Sequence, residues 1–127
     1  MSVYLDYNAS APILTEVLDV MIDTYKNVPG NADSRTHLFG TKAQKVVQTS
    51  RNTIADVLGV DQSEVIFTSG STESNNTVFN HVLSRFNSGE VIISSIEHPS
   101  VKSSAKHLEK YGFKIHELDV DETGSIN

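Results

Sequence analysis

Val65-Ile66-Phe67-Thr68-Ser69-Gly70-Ser71-Thr72-Glu73-Ser74-Asn75-Asn76 decides how this chain is read. An apolar run enters a turn of small residues and leaves it as the polar start of a helix. Such a junction aims several backbone N–H groups and a hydroxyl at one anionic group. Downstream, Val91-Ile92-Ile93-Ser94-Ser95 predicts a second strand, which ends shortly before Glu97-His98-Pro99. Phe113 to Leu118 predicts a third. Val78, Phe79, Val82, Leu83 and Phe86 mark a helix between the first two strands, and Val101, Ala105 and Leu108 mark one between the last two. Pro99 suits the first turn of the latter. The βαβαβ order predicts an α/β fold with parallel strands and helical crossovers. Ligands of such sheets bind at strand ends, which is where the Ser69–Thr72 turn and His98 fall.

Upstream, Leu14, Val17, Leu18, Met21 and Tyr25 recur at three and four residues, with Pro12 before them and Pro29-Gly30 after. They predict an amphipathic helix. Gly30 to Arg35 reads as a loop. A longer helix follows, carrying Ala43, Val46, Val47, Ile54, Val57 and Leu58, with Gly59 placed to end it in a left-handed cap. Asp119 to Asn127 reads as a turn-rich tail.

The 127 residues correspond to one domain or a piece of one, and 38% of them are apolar. A net charge of −6 argues against a nucleic-acid surface, which needs clustered Lys and Arg. Lys102, Lys106 and Lys110 repeat at helical spacing and read as a solvated face. Without cysteine the chain holds no disulfide and no thiolate metal site. The amino terminus lacks a basic region and a long apolar core, so no signal peptide is expected, and no run has membrane-spanning length. The expectation is a soluble cytoplasmic protein with no membrane or nucleic-acid partner.

Two motifs carry chemistry. In Ser69-Gly70-Ser71-Thr72, Gly70 permits close backbone approach, the helix start leaves N–H groups free, and Ser71 and Thr72 add hydroxyls. The same residues also read as an ordinary N-cap. The lysine of a P-loop and the spaced glycines of a dinucleotide fingerprint are both missing. His98 could stack on a planar ring, move protons, or cap the helix that follows it. No second histidine lies at ligand spacing, so no metal site is expected. Tyr4 to Pro12 is extended and rich in small polar residues; it could line a pocket or dock the terminus.

Leu5-Asp6-Tyr7-Asn8-Ala9, Gly30-Asn31, Phe67-Thr68-Ser69-Gly70-Ser71-Thr72-Glu73-Ser74-Asn75 and Ile96-Glu97-His98 occur in this order in one family. The chain resembles the amino-terminal part of a cysteine desulfurase, a pyridoxal-phosphate enzyme of the class V aminotransferase, fold type I group. The resemblance implies the three-layer α-β-α large domain of those transferases, here incomplete. Residues 1–127 would be the amino-terminal segment plus the first part of that domain. Gly70, Ser71 and Thr72 would hold the cofactor phosphate. His98 would stack over the pyridine ring and assist proton transfer, and Asn8 and Ala9 would lie near the substrate entrance. The chain differs from the family's usual pattern at Ser10 and Ala11, at Ala32 and at Ser71.

The implied reaction converts L-cysteine to L-alanine. Sulfur leaves as a persulfide for a sulfur-acceptor scaffold protein, serving iron–sulfur cluster assembly or thio-modification, and the enzyme is expected to be a homodimer. The family's Schiff-base lysine, the aspartate facing the pyridine nitrogen, the substrate arginine and the persulfide cysteine have no counterparts here. The chain therefore reads as a fragment that is inactive alone. A selenocysteine lyase, an aminotransferase of the same class and a non-catalytic truncated α/β binding module are the alternatives.

Overall fold

The computed structural model describes residues 2–126. The chain divides into two compact units, Met1–Val65 and Ile66–Asn127.

In the amino-terminal unit, α1 spans Thr15–Asn27 and α2 spans Leu38–Leu58. The apolar stripe predicted for α1 is present, but none of its residues is buried. Pro29 follows Val28 and ends the run, since proline cannot continue the hydrogen-bond ladder. α2 starts on His37, whose Nδ1 accepts the Gly40 N–H at 3.1 Å. It ends on Gly59 at φ 68°, the left-handed cap that the sequence predicts. The buried residues of α2 are Gly40, Ala43 and Ala55, while Val57 and Leu58 remain exposed. Backbone packs directly on backbone here. A Cβ at Gly40 would collide with the Ser34 carbonyl, and one at Gly30 with the Phe39 carbonyl.

The strand predicted from Val65 to Thr68 is not formed, and the described residues pair two strands where the sequence predicts three. Val65 is extended, with φ −89° and ψ 114°. However, its backbone groups are used locally. Its N–H closes a 3-10 turn on the Gln62 carbonyl at 3.3 Å, and its own carbonyl accepts a bond from Arg51 of α2. With its one N–H engaged in this turn, Val65 has no donor left for a ladder.

The carboxy-terminal unit carries α3 (Ser71–Arg85), β1 (Gly89–Ser94), α4 (Pro99–Glu109) and β2 (Phe113–Leu118). β1 and β2 pair in parallel from Gly89 opposite Phe113 to Ser94 opposite Leu118, with α4 as the crossover. This is the predicted α/β arrangement. Alternation assigns the two faces. Phe113, Ile115 and Glu117 point toward α4, where Lys102 meets Glu117 at 2.6 Å. Glu90, Ile92 and His116 share the opposite face, with His116 and Glu90 2.6 Å apart and Ile92 65% exposed. The core lies between α4 and the sheet. Ala105 and Leu108 are fully buried, and Phe113 is nearly so. α3 packs alongside α4. Gly112, at φ 87°, makes the turn into β2. The tail closes with an antiparallel bridge between Val120 and Ile126. Among the described residues, no helix is long and apolar enough to cross a membrane.

Candidate cofactor site

The first turn of α3 has an open front. The sequence offers Ser71 or Thr72 as its cap, but the structure makes them the first two helical residues and gives the cap to Gly70. Gly70 sits at φ 158° and ψ 178°, and no side chain caps the helix. The N–H groups that begin a helix have no intrahelical acceptors, so here they face outward without a side-chain partner. A Cβ placed at Gly70 meets nothing within 4 Å. The position a Cβ would take at Gly70 is therefore open.

Behind that front the turn is tied down. Ser69 donates its N–H and its hydroxyl to Oε2 of Glu73, at 2.6 and 2.7 Å. The Thr68 and Ser74 hydroxyls lie 2.8 Å apart. The Ser69 N–H, and after it the Ser69 hydroxyl, hold the Glu73 carboxyl below its ordinary pKa. A carboxylate in the first turn also suits the helix dipole. Its Oε2 is engaged by Ser69, and it makes no cap bond to the α3 backbone.

Thr72 and His98 line one cavity of about 370 Å³ in the groove between α3 and α4. Asn76, Phe79, Ser100 and Ser104 form part of its wall, and Gly70 and Ser71 lie outside the lining. His98 is the N-cap of α4, with Pro99 behind it at the first helical position. Its Nδ1 accepts the Ser100 N–H at 3.2 Å and lies 2.9 Å from the Ser100 hydroxyl. Of the roles open to His98 in the sequence, the cap is thus formed. It engages Nδ1 alone, so Nε2 takes no part in it.

Asn8 and Ala9 belong to the amino-terminal unit, in a turn spanning residues 7–9. Ala9 and Ser10 both donate N–H bonds to the Asp6 carbonyl at 3.2 Å. The Tyr4 hydroxyl lies 2.9 Å from the carbonyls of Asp6 and Ser10, which sets the shape of this turn.

Ser100 and Ser104 are not singled out by the sequence, and Asn75 and Asn76 appear there only as the end of the turn's run, with no role of their own. Asn75 Nδ2 donates to the Ser100 hydroxyl at 2.9 Å, and the Ser104 hydroxyl donates to Asn76 Oδ1 at 2.7 Å. Adjacent asparagines of α3 thus reach serines one turn apart on α4. Serine at i and i+4 of a helix that follows Glu-His-Pro is the only local hint of it.

Residues 3–127 match the model of the aminotransferase class-V family. The chain is 39% identical over 127 residues to the probable mitochondrial cysteine desulfurase of Schizosaccharomyces pombe, covering 98% of this chain and 25% of that protein. It is 41% identical over 129 residues to the cysteine desulfurase IscS of Buchnera aphidicola subsp. Acyrthosiphon pisum, covering 98% of this chain and 32% of that one. A solved NifS-like protein superposes with a TM-score of 0.85 at 37% identity, over 100% of this chain and 35% of that chain. The chain spans about a quarter to a third of the length of the curated relatives. With its α/β fold and the full extent of the match, this chain belongs to the aminotransferase class-V family.

Proposed function

We propose that this chain is the amino-terminal part of a pyridoxal-phosphate cysteine desulfurase, with Ser71 and Thr72 as its phosphate anchor and His98 beside the cofactor ring. The observation that carries this reading is the uncapped first turn of α3, whose Thr72 shares a cavity with His98. The residues present fit the group. Open N–H donors, a hydroxyl and an unobstructed position at Gly70 suit a phosphate, and hydrogen bonds to a charged group contribute roughly 1.5–3 kcal/mol each. The coenzyme would supply the electron sink for chemistry at the substrate. His98 would hold or move a proton at Nε2, since Nδ1 is committed to α4. The Ser69–Glu73 clasp keeps the anchoring turn in shape. Asn8 and Ala9 would border the substrate entrance.

In this reading the substrate is L-cysteine and the product L-alanine. Sulfur passes to an acceptor scaffold for iron–sulfur cluster assembly or thio-modification, and the enzyme works as a cytoplasmic homodimer. The relatives named cysteine desulfurase support the substrate. Comparing the protein's affinity for pyridoxal phosphate with that for unphosphorylated pyridoxal tests the anchor. The phosphate is expected to raise affinity by at least about tenfold. Equal affinities would overturn the proposal.

A further inference from the structure

We propose that Asn75 and Ser100 are positioning residues for His98: a hydrogen-bond relay from α3 fixes which ring nitrogen bears the proton. The inference rests on the reading of His98 as the residue beside the cofactor ring. An amide nitrogen only donates, so the 2.9 Å bond from Asn75 Nδ2 makes the Ser100 oxygen an acceptor. The hydroxyl proton of Ser100 is then directed to His98 Nδ1, also 2.9 Å away. The Ser100 backbone N–H, another obligate donor, reaches the same nitrogen at 3.2 Å. Two donors therefore converge on Nδ1, which must present its lone pair. In the neutral ring, the proton belongs to Nε2. Asn75 and Ser100 are half-buried while His98 is exposed, so the relay leads from the helix interface out to the ring.

A cap alone would need only the backbone N–H. The hydroxyl and the amide add directionality, and that direction can be reversed. A carboxylate at position 75 would take the Ser100 proton for itself, leaving the Ser100 oxygen to turn a lone pair toward Nδ1. Asn76 provides the control. It ties α3 to α4 through Ser104 and makes no bond to Ser100 Oγ or His98.

The tautomer of His98 can be read in the cofactor-free protein by long-range 1H–15N correlation of the imidazole. Wild type is expected to show the Nε2–H form. Asn75→Asp and Ser100→Ala should raise the population protonated at Nδ1 by about three- to tenfold, the effect of one neutral hydrogen bond. Ser100→Thr should restore the wild-type signature, and Asn76→Asp should leave it unaltered. An unchanged tautomer in both Asn75→Asp and Ser100→Ala would overturn the relay, as would an equal change in Asn76→Asp. In the complete enzyme, with cofactor and substrate supplied, the relay variants should lower kcat more than they raise KM. The two proposals fail separately. Indifference to the phosphate of pyridoxal phosphate would remove the cofactor reading and leave the tautomer result standing, whereas an unmoved tautomer with normal phosphate-dependent binding would remove only the relay.

Discussion

Ser69 and Glu73 form a closed clasp: one carboxylate oxygen, Oε2 of Glu73, receives both the N–H and the hydroxyl of Ser69, at 2.6 and 2.7 Å. The clasp ties the residue before the N-cap to the first turn of α3. Its pH dependence follows from the direction of the Glu73 shift. Bonding from the Ser69 N–H, then from its hydroxyl, lowers the native pKa, so the carboxylate form is favoured on folding. The contribution is present above the ordinary glutamate range and is lost as pH falls through the lowered native value. The protection of the Ser69 amide, the slowing of its exchange relative to the intrinsic rate at the same pH, should therefore be high at neutral pH and fall in acid. Glu73→Ala should leave Ser69 with little protection at every pH. Wild-type protection of Ser69 in that variant would show that the clasp does not hold the turn.

In the complete enzyme, Thr72→Ala should weaken retention of pyridoxal phosphate by about ten- to a hundredfold, as expected for one hydrogen bond to a charged group. Thr77→Ala should not. The Thr77 hydroxyl is turned back onto the Glu73 carbonyl at 2.8 Å, whereas Thr72 lines the cavity. Equilibrium dialysis of the two variants decides the matter, and matching affinities would place the phosphate elsewhere.

His98 has two separable jobs. His98→Ala removes the cap of α4, at a cost of about 1 kcal/mol, and in the complete enzyme should slow turnover by ~10²–10⁴-fold. Asparagine is a good N-cap. His98→Asn should thus recover the stability measured by urea unfolding while leaving turnover as slow as in the alanine variant. Recovery of activity along with stability would mean that the ring does nothing beyond capping.

Gly40→Ala should destabilise the protein by about 1–3 kcal/mol through overpacking, although alanine is ordinarily the better helix former by about 1 kcal/mol. The added methyl would strike the Ser34 backbone carbonyl, which cannot swing aside as a side-chain tip can. Gly89→Ala, whose Cβ would meet Phe113 at an ordinary 3.4 Å, should cost less. Urea midpoints in the order wild type, Gly89→Ala, Gly40→Ala are expected, and a Gly40→Ala midpoint at or above wild type would contradict the packing.

The parts of the fold legible in the sequence are those whose signals are local. Pro99, Gly59 and the Phe113–Leu118 run each act within a few residues, and the helices and strand they delimit stand where predicted. The Val65–Thr68 run was misleading because β-branched composition predicts extension, whereas strand pairing depends on a neighbour. Here the Gln62 carbonyl and Arg51 engage Val65 instead. Similarly, Ser71 and Thr72 are favourable capping residues by type, yet Gly70 takes that place. The bond from Asn75 to Ser100 links residues 25 positions apart on two helices, and no local pattern encodes it. The turn and the histidine of the candidate site were visible in the sequence. What sets the ring's protonation was not.

The crossover from β1 through α4 to β2 also has a kinetic consequence. Ala105, Leu108 and Phe113, which form the buried centre of the carboxy-terminal unit, come from one short stretch of chain. The strand register is closed by a loop of some two dozen residues, nearly half of them in the connecting helix. Closing such a loop costs little entropy, and a helix that forms early shortens it further. This segment has what a folding nucleus requires: local contacts, early apolar burial and a parallel pairing that its own crossover brings into place. In that order of events α3 docks later, so the groove holding Thr72 and His98 is completed only after the sheet beneath α4 has formed.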